Sequence, residues 1–147
     1  MQVKIKKLHP DAKIPSYAKF GDAGQDLYAV SKAYDEYGNI VYGTGLAFEI
    51  PEGYCMLLFP RSSNARTDLV LSNHVGIADS GYRGEVFFKY AKYYRHYTSP
   101  TTRNEEYQIG EKIGQVVILP YPQIHFEEVE ELSKSERGAG GYGSTGK

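Results

Sequence analysis

The stretch LAFEIPEGYCMLLF, residues 46–59, decides the fold class of this chain. It contains two short apolar runs, Leu46–Ile50 and Tyr54–Phe59, separated by the turn-forming sequence Pro-Glu-Gly. Short runs with Gly and Pro between them are typical of β-strands, because helices need longer periodic segments. The rest of the chain repeats this pattern, so the sequence predicts an all-β sandwich or jelly roll. Further strands are predicted at Val3–Ile5, Asp26–Val30, Val70–Ser72, Glu85–Ala91, Gln115–Pro120 and Ile124–Val129, and a brief helix at Ser63–Thr67.

The composition is that of one globular domain. Of 147 residues, 41% are hydrophobic and 24% charged, and 17 Lys and Arg nearly balance 18 Asp and Glu. Sequence-independent binding to nucleic acid would require an excess of basic over acidic residues. The single cysteine cannot form an intramolecular disulfide. No apolar run reaches the length of a membrane span, and no secretory signal is visible. We therefore expect a cytoplasmic protein (of the host cytoplasm for a phage or viral chain) without stable nucleic-acid or membrane binding.

The last eleven residues, RGAGGYGSTGK, differ from the rest of the chain because they contain five glycines and cannot build a core. Closely spaced glycines let backbone N–H groups converge on an anion. Arg137 adds a forked cation suited to phosphate, and Ser144 and Thr145 add hydroxyl donors. A flexible terminal linker has the same composition, so both interpretations stay open. We expect a β-barrel domain at residues 1–136 and a mobile C-terminal arm at residues 137–147.

Two internal segments carry candidate chemistry. FPRSSNA, residues 59–65, places Arg61 directly after an apolar strand, where it is either a phosphate-binding cation or part of an ordinary solvated turn. In SNHVGIADSGYRGEV, residues 72–86, the carboxylate of Asp79 follows Asn73 by six residues. The Asn73 amide can donate and accept, as recognition of a base requires. Asp79 is either a turn residue bonded to its own backbone or a general base that orients a water.

Two polar residues remain open in the same way. Asp26 is either a charge at a strand edge or an acidic group near a metal, and Gln115 is a polar residue at the start of a buried strand. The four histidines and Cys55 have no metal-ligand spacing with one another. The sequence contains no nucleophile–base pair, zinc cluster or Walker loop.

Five segments carry the resemblance to a known family, and they occur in the order AGQDLYA from Ala23, PRSSNA from Pro60, GIADSGYRGEV from Gly76, GEKIGQ from Gly110 and RGAGGYGSTG from Arg137. Together and in this order, they resemble the five motifs of the homotrimeric dUTPase family. The resemblance covers nearly the whole chain, and it implies a distorted jelly-roll subunit that assembles as a homotrimer with shared active sites. It also implies hydrolysis of dUTP to dUMP and pyrophosphate, which keeps uracil out of DNA and supplies dUMP for dTTP synthesis.

The resemblance implies a role for each matched residue. Asp79 would polarise a water for in-line attack on the α-phosphorus, and Tyr82 would lie under the deoxyribose and exclude a 2′-hydroxyl. Asn73 and the hairpin backbone at Gly76 would read the uracil edge. Asp26 would support Mg²⁺, largely through water, and Tyr142 would face the sugar and base. The residues implied at the phosphates are Arg61, Ser62, Ser63, Gln115 (reaching a neighbouring subunit's site), Arg137, Gly143, Ser144 and Thr145.

The chain also departs from the family pattern. Tyr142 stands where Phe is usual, and Gly114 where Ala or Cys is usual. The tyrosine-rich loop Lys92–Tyr107 is longer than is typical, and plain surface, a protein-partner epitope and an extra trimer contact remain open for it. Two other functions remain as alternatives. A dCTP deaminase relative would need a catalytic Glu in place of the Asp79-centred motif, and a non-catalytic nucleotide-sensing or protein-binding member would not need the intact motif residues.

Overall fold

Strands account for the regular structure of residues 1–93 and 106–141, which are the residues described in a computed structural model of the chain. A short 3-10 helix, η1, follows the sixth strand. None of the described segments forms a helix of the length and apolar character needed to cross a membrane. The elements are β1 Lys4–Lys7, β2 Gln25–Tyr28, β3 Ser31–Tyr34, β4 Ile40–Gly43, β5 Leu46–Glu49, β6 Tyr54–Phe59, η1 Ser62–Arg66, β7 Leu69–Leu71, β8 Gly76–Ala78, β9 Phe87–Lys92 and β10 Lys112–Pro120.

The described strands form three antiparallel sheets. The first four-stranded sheet has the order β2-β10-β6-β8, the second has the order β3-β4-β9-β7, and β1 pairs with β5. The apolar runs Leu46–Ile50 and Tyr54–Phe59 therefore belong to different sheets, because β5 pairs with β1 while β6 lies between β10 and β8. The predicted all-β jelly-roll class is confirmed for the single chain.

The two four-stranded sheets share one buried core. Phe88 of β9 is fully buried, and its ring faces Gly114 of β10 so closely that no side chain fits there. Tyr90 of β9 donates its hydroxyl hydrogen bond to the Ile113 carbonyl of β10 at 2.6 Å. The rings of Tyr42, Tyr90 and Tyr107 contact one another with centroids 5.5 to 6.1 Å apart. Three of the fourteen tyrosines of the chain therefore belong to the core, since aromatic side chains bury much area in such packing.

The strand predictions succeed where a run is apolar and bounded by turns. Tyr54–Phe59 is predicted with its observed bounds, and the brief helix is a 3-10 turn shifted by one residue. The strand predicted at Ile124–Val129 is wrong, because this segment is exposed and pairs with no strand among residues 1–93 and 106–141. β3, β4 and β8 were not predicted. Residues 94–105 of the tyrosine-rich loop lie outside the described residues.

Candidate active site

The turn between β7 and β8 places Asn73 at the edge of the first sheet. The Val75 N–H donates to the Asn73 carbonyl at 2.6 Å, and the His74 N–H donates to the Leu71 carbonyl at 2.8 Å. His74 has a φ of +60°, a left-handed conformation that non-glycine residues seldom adopt. A Cβ on Gly76 would lie 3.2 Å from Asn73 Nδ2. The absent side chain therefore lets the Asn73 amide lie against the start of β8.

Asp79 and Tyr82 occupy the two ends of the turn that follows β8. The Tyr82 N–H donates to the Asp79 carbonyl at 3.0 Å, and Tyr82 Oη donates to the Glu85 carbonyl at 2.8 Å. A Cβ on Gly84 would lie 2.5 Å from Tyr82 Oη. Gly84 therefore leaves the space into which the Tyr82 ring folds.

Asn73, Asp79 and Tyr82 line one cavity of about 240 Å³, which we call the β8 pocket. Two carboxylates line it, but Glu85 Oε1 accepts a hydrogen bond from the Gly45 N–H at 2.8 Å, whereas Asp79 is exposed to solvent. The pocket thus combines an amide, an aromatic ring and an accessible carboxylate. Its lining residues are Leu58, Asn73, Gly76, Ile77, Ala78, Asp79, Tyr82, Glu85, Val86 and Phe87.

A second group of polar residues surrounds the half-buried carboxylate of Asp26 on β2. Asp26 Oδ1 accepts a hydrogen bond from Arg61 Nε at 2.8 Å, and Oδ2 accepts one from Lys112 Nζ at 2.8 Å. Burial raises the pKa of Asp26, but the hydrogen bonds from Lys112 and Arg61 outweigh it and hold the pKa below its usual value. Asp26 is therefore ionised at neutral pH and bound between two cations.

Asp26, Arg61, Ser62 and Gln115 line a cavity of about 630 Å³, which we call the Asp26 cleft. Gln115 lies opposite Asp26 in the β10–β2 register, and its Nε2 donates to the Pro60 carbonyl at 3.2 Å. A Cβ on Gly24 would lie 2.6 Å from Gln115 Oε1, so the glycine leaves room for the amide. The structure therefore brings together four residues that the sequence had proposed separately. The full lining is Ser16, Ala18, Lys19, Asp22, Ala23, Gly24, Asp26, Arg61, Ser62, Lys112 and Gln115.

The remaining candidates lie elsewhere. Ser63 lines a different cavity, although its Oγ accepts a hydrogen bond from Arg61 Nη1 at 3.4 Å. Arg137 lies in an exposed terminal segment, where its Nε donates to the Gly140 carbonyl at 3.0 Å. Tyr142, Gly143, Ser144 and Thr145 lie outside the described residues. In one chain, Arg137 therefore joins neither the β8 pocket nor the Asp26 cleft.

The β8 pocket and the Asp26 cleft have no lining residue in common. Asp79 follows Ala78, which is opposite Met56 in the register, whereas Arg61 follows the end of β6. Because the pairing is antiparallel, Asp79 lies one residue beyond Met56, on the side away from Arg61. About six steps of nearly extended chain, roughly 20 Å, therefore separate Asp79 from Arg61 along β6. One chain therefore does not place the Asp79 carboxylate next to the Arg61 cation.

The Asp26 carboxylate fits a hydrated metal rather than an all-protein cage. Both of its oxygens already bind cations, and residues 1–93 and 106–141 contain no group of three or more His, Cys, Asp or Glu side chains that could hold a metal. An ionised carboxylate offers about four lone-pair positions, so acceptor positions remain for water. Mg²⁺ usually keeps several waters and takes further ligands from phosphates. Asp26 can therefore support Mg²⁺ through water.

Comparison with known proteins identifies the family. A sequence model of dUTPase matches residues 10–146, almost the whole chain. The chain belongs to the dUTPase family. The deoxyuridine 5'-triphosphate nucleotidohydrolase of Nautilia profundicola is 42% identical over 151 residues, which cover 100% of both proteins. The predicted family is confirmed, and membership makes the chain a hydrolase of nucleotide metabolism.

Solved dUTPases share the fold over nearly the whole chain. A mutant dUTPase of Staphylococcus bacteriophage 80alpha, solved with dUpNHpp, aligns with a TM-score of 0.83 and 28% identity, covering 99% of this chain and 98% of that one. A mutant dUTPase from phage phi11 of S. aureus aligns with a TM-score of 0.72 and 26% identity, covering 89% of this chain and 98% of that one. The phi11 structure is described as revealing the coordination of a structural Mg(II) ion.

The dUTPase resemblance implies a role for eight residues that line the two cavities, but none for Lys112. Lys112 lies within the matched segment GEKIGQ, and it bonds to Asp26 directly. The signal that could have found it is its position in the same segment as Gln115, three residues earlier. In a regular strand, residues three apart face opposite sides, so a regular alternation would not put both side chains in one cleft.

Proposed function

We propose that this dUTPase-family chain hydrolyses dUTP to dUMP and pyrophosphate, with a water that attacks the α-phosphorus. The observation that carries the proposal is the β8 pocket, where Asn73, Tyr82 and Asp79 line one small cavity at the end of a sheet. The Asn73 amide can pair with the uracil edge. The Tyr82 ring provides a face for the deoxyribose and leaves no space for a 2′-hydroxyl. Asp79 is the accessible carboxylate that can take a proton from the attacking water.

The phosphate chain is assigned to the Asp26 cleft. Phosphoryl transfer depends mainly on positioning and on neutralising charge. Arg61 supplies a fixed cation, Ser62 supplies a hydroxyl donor, and Gln115 supplies an amide. Ser63 lies outside the cleft and would act beside it, through its contact with Arg61. Mg²⁺, held through water at Asp26, would neutralise charge on the triphosphate oxygens when it is bound. The arm residues Arg137, Tyr142, Gly143, Ser144 and Thr145 complete the proposal as groups that close over the nucleotide.

The separation of the two cavities supports a homotrimer with shared sites. Asp79 and Arg61 must both reach one triphosphate, yet they are roughly 20 Å apart in one chain by strand geometry. The segment after β10 also exposes large apolar side chains, including Phe126 at 94% and Leu132 at 87%. Isolated subunits seldom leave such residues uncovered together. We therefore propose that the β8 pocket of one subunit faces the Asp26 cleft of another, in the cytoplasm of the cell or of a phage host.

One assay tests the reaction: pyrophosphate release from dUTP, dCTP, dTTP and UTP by the wild type, Asp79→Asn and the control Asp11→Asn. Asp11 is exposed and distant in sequence from every motif. We expect turnover of dUTP alone, its loss by a factor of about 100 or more in Asp79→Asn, and normal turnover in Asp11→Asn. Ammonia release from dCTP would instead indicate a deaminase, and inactivity on every nucleotide a binding protein.

Two further measurements test the finer parts of the proposal. dUDP should be a poor substrate, because the arm closes on the γ-phosphate, and Arg137→Gln should reduce dUTP turnover toward that level. Removal of Mg²⁺ by a chelator should abolish turnover, and added Mg²⁺ should restore it. Light scattering after size-exclusion chromatography should give the mass of a trimer. Equal turnover of dUDP and dUTP, or activity as a monomer, would contradict these assignments.

A further inference from the structure

Lys112 is a charged residue of the Asp26 cleft to which the dUTPase motifs assign no role. Its Nζ lies 2.8 Å from Asp26 Oδ2, and it lies 5.8 Å from the centroid of the Tyr28 ring. The hydrogen bond to Asp26 is also the main cause that raises the pKa of Lys112. Lys112 is therefore a cation held in place from two sides.

A strand irregularity puts this cation in the cleft. In the β10–β2 register, Lys112 pairs with Tyr28 and Gly114 pairs with Leu27, so Ile113 is an extra residue in β10. Such a β-bulge shifts the alternation of side chains by one residue. As a result, Lys112 and Gln115, three residues apart, both lie on the side of β10 that carries Asp26.

The net charge of Asp26, Arg61 and Lys112 determines how well the Asp26 cleft can bind an anion. Arg61 and Asp26 alone form a pair with no net charge, and the carboxylate would cancel the cation that faces a phosphate. Lys112 occupies the second oxygen of Asp26, so the three groups together keep a net charge of +1. An anion at the cleft then meets the charge of Arg61 without that cancellation.

The same contacts fix the orientation of Arg61. Its Nε donates to Asp26, and its Nη1 donates to Ser63 Oγ. A guanidinium held along one edge presents its other N–H groups in a fixed direction, which favours planar recognition of phosphate oxygens. If Asp26 lost Lys112, both of its oxygens would be available to Arg61, and the guanidinium could turn toward the carboxylate.

We infer that Lys112 is a positioning residue of the phosphate site: it neutralises Asp26, and it thereby keeps the charge and orientation of Arg61 available to a polyphosphate. The inference deepens the proposed function and rests on it for the identity of the nucleotide. It concerns binding of the phosphate chain and leaves recognition of uracil and deoxyribose in the β8 pocket unchanged.

The test compares Lys112→Met and Lys112→Arg with Lys13→Met. Lys13 is a matched control because its Nζ lies 4.4 Å from the same Tyr28 ring, and the structure gives it no bond to Asp26. Calorimetry would measure binding of dUpNHpp, dUMP and inorganic tripolyphosphate, and thermal unfolding would check folding. Lys112→Gln, which keeps a hydrogen-bond donor without the charge, replaces Lys112→Met if that variant does not fold.

We expect Lys112→Met to weaken dUpNHpp and tripolyphosphate binding by about tenfold or more, with dUMP binding changed by less than about twofold. Lys112→Arg should restore most of the affinity, and Lys13→Met should change little. The inference would be overturned if Lys112→Met bound dUpNHpp and tripolyphosphate as tightly as the wild type, or if Lys13→Met lost as much affinity for them. It would also be overturned if Lys112→Met lost as much affinity for dUMP as for the polyphosphates, or if the wild type bound no polyphosphate. Failure of the wild type to hydrolyse dUTP would contradict the proposed function instead. Tripolyphosphate binding would still test the role of Lys112 in that case.

Discussion

Replacing Gly114 by alanine should destabilise the protein, because β10 approaches β9 too closely for a side chain. A Cβ on Gly114 would lie 2.1 Å from Phe88 Cε1, 2.5 Å from Cζ and 2.6 Å from Cδ1. Carbon atoms normally pack at about 3.5–4.0 Å, so the methyl group overlaps the ring edge by more than an ångström. Phe88 is fully buried and has no solvent to move into. The structure thus explains why this chain carries glycine where the family usually has alanine or cysteine.

The magnitude follows from the cost of overpacking a core. Such substitutions typically lower the free energy of unfolding by about 1–3 kcal/mol. Because three ring atoms overlap, we expect Gly114→Ala to lie at the upper end of this range, at about 3 kcal/mol. For a chain of this size, we expect the midpoint of thermal unfolding to fall by about 6–12 °C. The assay is thermal unfolding at one fixed protein concentration, since assembly makes the midpoint concentration-dependent. Gly81→Ala is the control, because a Cβ on Gly81 meets no atom within 4 Å.

A double-mutant cycle tests the cause of this loss. Phe88→Leu removes the ring atoms that the new methyl group would meet, and we expect it to cost about 1–3 kcal/mol by itself. Adding Gly114→Ala to Phe88→Leu should then cost less than about 1 kcal/mol, so the two changes should be strongly non-additive. Additive losses, or a Gly114→Ala protein as stable as the wild type, would show that the close approach of β9 and β10 does not determine the residue at this position.

Three other variants separate stability from function. Glu106 has a pKa lowered to about 2 by hydrogen bonds from lysines on β3 and β9, so its ionised form stabilises the fold above its unfolded pKa. Glu106→Gln should therefore cost about 1–2 kcal/mol at pH 7, and denaturant titrations should show the gap to the wild type narrowing as the pH falls from 5 to 3. Gly84→Ala should displace the partly exposed Tyr82 ring, raising KM for dUTP in steady-state assays while the unfolding midpoint changes by less than about 3 °C. His74→Val should lower stability by about 1–2 kcal/mol because a β-branched residue strains a left-handed backbone, whereas His74→Gly should be neutral or stabilising in the same unfolding assay.

What the sequence could predict depended on local signals. Tyr54–Phe59 was found because its apolar run ends at turn residues on both sides. β3 was missed because its SKAY sequence is largely polar and exposed, and β8 because three residues are too few to show a period. The need for glycine at position 114 could not be read from the chain, since Phe88, the residue that enforces it, is 26 positions away and lies in another sheet.

The candidate site could also be predicted only in part from the sequence. The family motifs indicated Asp79, Asn73 and Tyr82, and the structure places all three around one cavity. They did not indicate that Asp26 is held between two cations, because a salt bridge between β2, β10 and the segment after β6 depends on how the strands pair. The arm residues from Tyr142 onward remain predictions from the motif alone.

The extra residue at Ile113 has a consequence for protein design. Ile113 and Gly114 are consecutive and both buried, while Lys112 and Gln115 on either side are only half-buried. The bulge thus gives β10 two successive inward positions and keeps both flanking polar groups in the cleft. A designer who copied Lys112 and Gln115 at their native spacing onto a regular strand would direct one of them into the interior of the scaffold. The Asp26 cleft can therefore be built into another scaffold only if the extra residue at Ile113 is copied with it.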